Sequence, residues 1–249
     1  MTFHDDDILH PDYLKYALKV INKYPNISIV SSNYKGYTNP TNKNWKKASS
    51  YYKYCSTKRD FVNYLYRMQK YGYPPTIYKT SNLKKCIYNS ENGELCMPNL
   101  EYDFLKQFGK MSDKPFVIET MQENDGAVIF QSRALLRYRV HAGQDTTSGG
   151  PSYSEIIAYN RYCKKYMQNN WYEKFMYNLI NYKQLKQAYV WNNTNELSLN
   201  EFIQKAIDEG AGCKWTELCL HPIYGKFFIR LAYWLRKIFK SKYKRGFFF

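Results

Sequence analysis

MTFHDDDILHPDYLKYALKVINKY, residues 1–24, carries the strand-to-helix switch on which the reading of the fold turns. Residues 1–3 read as the end of a buried strand, which sets Asp5, Asp6 and Asp7 at its C-terminal lip. Open α/β sheets present their ligand-binding groups there. Pro11 then opens a helix, in the first turn where its missing N–H costs nothing. Leu14, Ala17, Leu18 and Ile21 recur at helical spacing along it. Three adjacent carboxylates repel one another, so a fold that orders them supplies a cation or hydrogen-bond donors. The alternative is a solvated acidic turn, the ordinary fate of a charge run.

Outward from this switch the α/β alternation continues. ISIVSSNY (27–34) is a short apolar strand, and residues 37–50 form a polar loop marked by Pro and Asn. Residues 58–70 predict an amphipathic helix, and TIYKT (76–80) a short strand followed by another helix start. Gly109 reads as a helix stop, and Ser112 as the N-cap of a helix with Pro115 in its first turn. AVIF (127–130) and ALLRYRV (134–140) predict two strands, followed by the Gly- and Ser-rich loop HAGQDTTSGGP (141–151). From Tyr153 onward the periodicity is helical. The expected organisation is an α/β part over residues 1–150 and a helical tail over 151–249.

Composition bounds the function. At 249 residues with 44% hydrophobic content, the chain suits one large domain or two small ones. A net charge of +16 calls for an anionic partner: nucleic acid, phosphorylated sugar or acidic lipid. No nucleic-acid recognition motif accompanies the charge, so nucleic acid ranks last. The six cysteines form no CxxC pair, which indicates reduced thiols in a cytoplasmic chain and no zinc site. The aspartates break the first apolar stretch too early for a signal peptide.

The basic charge concentrates at the end of the chain. From Pro222 onward there are eight Lys or Arg and no acidic residue. In residues 221–249, Phe227, Phe228, Leu231, Leu235 and Ile238 fall on one side of a helix, Lys226, Arg230, Lys237 and Lys244 on the other. Interruption by charge rules out a spanning segment. The pattern predicts a basic amphipathic helix over about 222–245, lying on an anionic membrane surface. A helix packed on the core with a solvated basic face is the alternative.

HDDDILHPDYL (4–14) and LLRYRVHAGQDTTS (135–148) together resemble family-2 glycosyltransferases with a GT-A fold, of the bacterial type that builds capsule and other surface polysaccharides. The resemblance covers residues 1 to about 148 and implies a partial GT-A, Rossmann-like sheet with flanking helices. It implies a DxD motif and transfer of a sugar, hexosyltransferase fashion, from a nucleotide-sugar donor to a glycan or lipid-linked acceptor. A Mn²⁺ or Mg²⁺ ion would be held by Asp5, Asp7 and His141, with Asp5, Asp6, Arg139 and Gln144 binding the donor. Asp113 stands where the family puts its general base, with Glu101, Asp103 and Glu119 as neighbouring candidates. A single displacement would invert the anomeric carbon.

The chemistry suits these residue types. Breaking a nucleotide–sugar bond sends negative charge onto the diphosphate, which a cation held by hard oxygen ligands stabilises. Asp5 and Asp7, two apart in an extended segment, point the same way. Family members place a nucleotide-binding strand–helix–strand region ahead of the Asp cluster, where four residues stand here. The expectation is that residues 1–150 are the C-terminal part of a GT-A domain, either from a broken or mis-started gene or with the N-terminal half supplied by a second chain. The alternative is an inactive fragment acting only as a membrane-associated or interaction module.

Overall fold

The computed structural model describes residues 7–37, 51–66, 72–86, 88–89, 95–96, 106–131, 135–140, 150–166, 171–192, 197–211, 224–225, 227, 230–231, 234 and 244–247. Five strands form the larger sheet: β2 (Ile27–Ser32), β4 (Tyr51–Cys55), β5 (Gly72–Tyr78), β8 (Gly126–Phe130) and β10 (Lys244–Phe247), in the order β10-β4-β8-β2-β5. β2 and β8 run parallel at its centre; the other pairings are antiparallel. A smaller sheet, β1-β9-β3, unites β1 (Ile8–Leu9), β3 (Lys35–Tyr37) and β9 (Leu136–Arg139). β6 (Tyr88–Asn89) and β7 (Leu95–Cys96) pair as a ribbon.

Seven α-helices lie among the described residues: α1 (Tyr13–Lys23), α2 (Lys58–Tyr66), α3 (Thr80–Cys86), α4 (Asp113–Glu119), α5 (Tyr153–Lys164), α6 (Trp171–Asn192) and α7 (Leu199–Asp208). The chain is therefore a mixed α/β protein.

Period-two alternation assigns the two faces of the larger sheet. Ile29, Cys55, Ala127 and Ile129 face α2, α4 and the three later helices in one buried cluster. Val30, Tyr52, Val128 and Phe130 face α1 in a second. Ile27 joins the α1 side although Ile29 joins the other. A register shift between them, where Ile27 pairs with Gly126 and Ile29 with Ala127, adds the odd residue that flips the face. Every residue of β2 is buried, as a central strand covered on both sides requires.

The larger cluster runs from Ile29 to Ala211, so α5, α6 and α7 pack in the same core as the strands. Much of the tyrosine content goes here. Tyr66 stacks on Tyr177 at 5.1 Å between centroids and donates its hydroxyl to Asn160 Oδ1 at 2.6 Å. Capping boxes start α5 (Ser152 with Glu155) and α7 (Ser198 with Glu201). Their Ser-x-x-Glu spacing was a readable signal.

Three expectations change. α1 starts at Tyr13, after a turn that contains Pro11, and it buries Tyr13, Ala17 and Val20. Leu14 and Leu18 are left 52% and 60% exposed. The reason is Tyr13, whose ring meets Phe130 edge-on and whose hydroxyl donates to Pro75 O at 3.0 Å. Ser112 makes no side-chain cap, because its helical backbone continues a 3₁₀ turn (Gly109–Met111) directly into α4. Lys244 and Arg245, placed on the tail helix by the sequence, belong to β10. There they pair with Tyr54 and Lys53, covering an otherwise unpaired edge of β4.

Ile129→Ala is expected to cost about 2–5 kcal/mol, since the site is fully covered. Leu18→Ala should stay within about 0.5 kcal/mol, as exposed positions do. Urea unfolding of both variants checks the face assignment of α1; a large loss at Leu18 would reverse it.

Candidate active site

The small sheet ties the two ends of the sequence pattern together. β1 runs antiparallel to β9, with Ile8 opposite Arg137 and Leu9 opposite Leu136. The His10 N–H donates to Leu135 O at 3.0 Å and extends the ladder. At the other end the Arg139 N–H donates to Asp7 Oδ1 at 3.0 Å, joining residues 132 apart in sequence. Asp7 is 7% exposed, and this backbone amide orients its carboxylate. On the far side β3 pairs with β9 in parallel, and the Val140 N–H donates to Tyr37 O at 2.8 Å. Asp5, Asp6, His141 and Gln144 lie outside the described residues.

The hydrogen bond from the Arg139 N–H sets the Asp7 carboxylate, just outside β1, at the residue next to Tyr138. Gly36 pairs with Tyr138 from the β3 side. A Cβ on Gly36 would stand 3.1 Å from Val140 Cγ2, so a side chain there would crowd the Tyr138 face. Tyr34 lies with its ring 5.4 Å from that of Tyr138. Burial and the neighbouring Tyr138 hydroxyl push the Tyr34 phenol up, which keeps it neutral. By period-two alternation along β9, Arg137 and Arg139 project to the side opposite Tyr138. Arg139 therefore meets Asp7 through its backbone, and its guanidinium leaves from the other face of the strand.

Asp113 opens α4, and two contacts fix the direction of that helix. At its end, Glu119 accepts from Lys58 Nζ at 3.2 Å, where α2 begins. At its start, Lys114 Nζ lies 5.2 Å from the Tyr159 ring, which packs against Tyr66 at the end of α2. α2 begins beside the first residues of β8, because the Lys58 N–H donates to Glu123 O just before that strand. It ends beside the last, because Tyr64 accepts from Gln131 Nε2 at 2.9 Å. Asp113 therefore lies toward the C-terminal ends of the parallel strands. β3 leaves β2 at that same end, and β9 follows β8 from it.

Burial raises the pKa of Asp113 above the ordinary carboxylate value. Lys114 and the backbone amides of residues 113 and 114 act against that rise. Glu119 has a different setting: besides Lys58, it accepts hydroxyl hydrogen bonds from Tyr162 and Tyr166. It belongs to a polar cluster at the other end of α4. Glu101 and Asp103 lie outside the described residues. Sequence reasoning counted Tyr138 only as part of the strand motif, without a role at the site, and passed over Tyr34. The alternation along LLRYRV was its available signal, but the identity of the facing strands was not.

Among the described residues no group of three or more His, Cys, Asp or Glu could hold a metal ion. Asp7 alone of the expected ligands is among them. No helix among the described residues is long and apolar enough to cross a membrane. What the geometry defines is an α/β protein with a fixed carboxylate on a short sheet at the C-terminal edge of its parallel strands. No family model matches the chain, and no curated protein or solved structure matches it either.

Proposed function

We propose that the chain acts in glycosyl transfer, moving a sugar from a nucleotide-sugar donor to a hydroxyl of a glycan or lipid-linked acceptor. The observation that carries this reading is the hydrogen bond from the Arg139 N–H to Asp7. It joins the acidic cluster to the strand that leads into His141, the two parts of the motif set on which the GT-A resemblance rests. Asp5, Asp7 and His141 offer the hard oxygen and imidazole donors that suit Mn²⁺ or Mg²⁺. Such an ion would stabilise charge on the departing diphosphate. Asp5, Asp6 and Gln144 bind the donor in this reading, and Arg139, first expected among them, contributes the backbone amide that holds Asp7. Asp113, at the same end of the sheet, takes the proton of the attacking hydroxyl. The test is release of nucleoside diphosphate from a panel of nucleotide sugars, with Mn²⁺ and with EDTA. Release from one donor that EDTA abolishes is the expected result; release unaffected by EDTA overturns the metal role.

A membrane-surface role rests on a separate observation. Tyr224, Phe227 and Trp234 are 57%, 60% and 58% exposed, and helical spacing sets them on one side with half-buried Leu231. Arg230, also exposed, stands within this basic end of the chain. Aromatic side chains inserted beside cations suit an anionic bilayer on the inner face of the cell membrane. Removing the whole tail would also strip β10 from β4, so point substitutions make the cleaner test. Phe227→Ser with Trp234→Ser should weaken binding to phosphatidylserine vesicles about tenfold or more at high salt, where screening weakens the purely ionic attraction. Co-sedimentation equal to the parent chain would return this helix to a surface role within the protein.

A further inference from the structure

We propose that Tyr138 and Tyr34 form a platform on which a pyranose ring stacks, beside Asp7. The inference rests on the glycosyl-transfer reading and adds a sugar subsite to it. Three observations place the platform. The hydrogen bond from the Arg139 N–H holds the Asp7 carboxylate at the residue next to Tyr138. Tyr34 leans against it, the rings 5.4 Å apart and tilted by 56°. Along β9 the Tyr138 face passes from fully buried Leu136, through half-buried Tyr138, to Val140 at 38% exposure. It thus opens from core to solvent within a few residues. The glycine at position 36 keeps the face beside Tyr138 low.

The occupant follows from the chemistry of a nucleotide sugar. A sugar is bonded directly to the outer phosphate of the diphosphate, whereas the base is set off from the inner one by a ribose. In the glycosyl-transfer reading Asp7 approaches the diphosphate through a cation, so a ring held beside Asp7 is a sugar, from the donor or the acceptor. An aromatic face suits the C–H-rich side of a pyranose, and a neutral phenol adds a hydrogen-bonding edge.

The experiment uses the full chain and two sets of probes. Methyl glucoside, galactoside and mannoside are titrated in the presence of Mn²⁺ with UDP, GDP or dTDP, followed by saturation-transfer NMR. The corresponding nucleotide sugars are titrated against their bare diphosphates. Tyr138→Leu keeps apolar bulk and removes the flat ring; Tyr138→Phe keeps the ring; Tyr34→Ala removes the second ring from outside the strands. Tyr138→Leu and Tyr34→Ala should weaken sugar binding by about three- to tenfold, the scale of one aromatic stack. Tyr138→Phe should retain it, with diphosphate affinity unchanged in all three variants.

Loss confined to methyl pyranosides assigns the platform to the acceptor. Loss of the advantage of nucleotide sugars over bare diphosphates assigns it to the donor sugar. Sugar binding that depends on Tyr138 in a chain that binds no diphosphate keeps the platform and sinks the transferase reading. Unchanged sugar binding in Tyr138→Leu, no pyranoside or sugar contribution in the parent chain, or a Tyr138→Leu loss of saturation transfer confined to the base protons overturns the platform.

Discussion

Asp113→Asn is expected to lower the rate of sugar transfer by about 10²–10⁴-fold, the usual loss of a general base, with donor binding unchanged. The substitution keeps size and removes the ability to accept the acceptor's proton. Its pH profile separates the role from simple packing. Burial holds the Asp113 carboxyl above its ordinary range, so the folded chain keeps a proton that the unfolded chain releases. The basic form appears as pH rises through that raised value, and the rate should rise over the same interval. The contribution to stability has the opposite sign. It is fully present below the ordinary carboxylate pKa and is lost as pH rises to the raised one. The Asn variant should lack both the acid limb of the rate profile and this loss of stability. A variant within about tenfold of the parent would remove the base role from Asp113.

Asp7→Ala should weaken binding of Mn²⁺ with a nucleoside diphosphate by on the order of 10²-fold or more. Outer-sphere partners of metal sites alone are worth about 10–100-fold, and a direct ligand exceeds them. Asp7→Asn divides the effect into its causes. An amide oxygen still accepts from the Arg139 N–H, so the β1-β9 geometry survives while the charge is lost. Calorimetry should show both variants deficient, with Asn preserving the unfolding midpoint better than Ala. If Asn binds the cation as tightly as Asp does, residue 7 serves to pin β1 to β9 and does nothing for a ligand.

Much of the architecture was legible because the signals are local. The apolar run at 27–32, the strands near 127–130 and 136–139, and helical periodicity after Tyr153 each correspond to an observed element. Choices between equivalent local patterns were not legible. On α1, positions 13, 17 and 20 have the same helical spacing as 14, 18 and 21, and both sets are apolar enough to bury. Tyr13 won because Pro75 O and Phe130 were waiting on the sheet. At Ser112 the residue type suited a cap, but the preceding 3₁₀ turn had already fixed a helical backbone. The KRGF segment at 244–247 reads locally as the end of a basic helix, and becomes a strand only because β4 offers an edge.

The candidate site divides along the same line. Residue type alone determined the acidic cluster, the strand leading toward His141, and the placement of Asp113 at a helix start. Hydrophobic period and charge do not depend on what lies across the chain. Tertiary structure alone decided that Asp7 is held by the backbone of Arg139, 132 residues away, beside Tyr138. The reason is register. A shift of one residue between β1 and β9 would exchange the two faces, and no local property of either strand records which residues stand opposite.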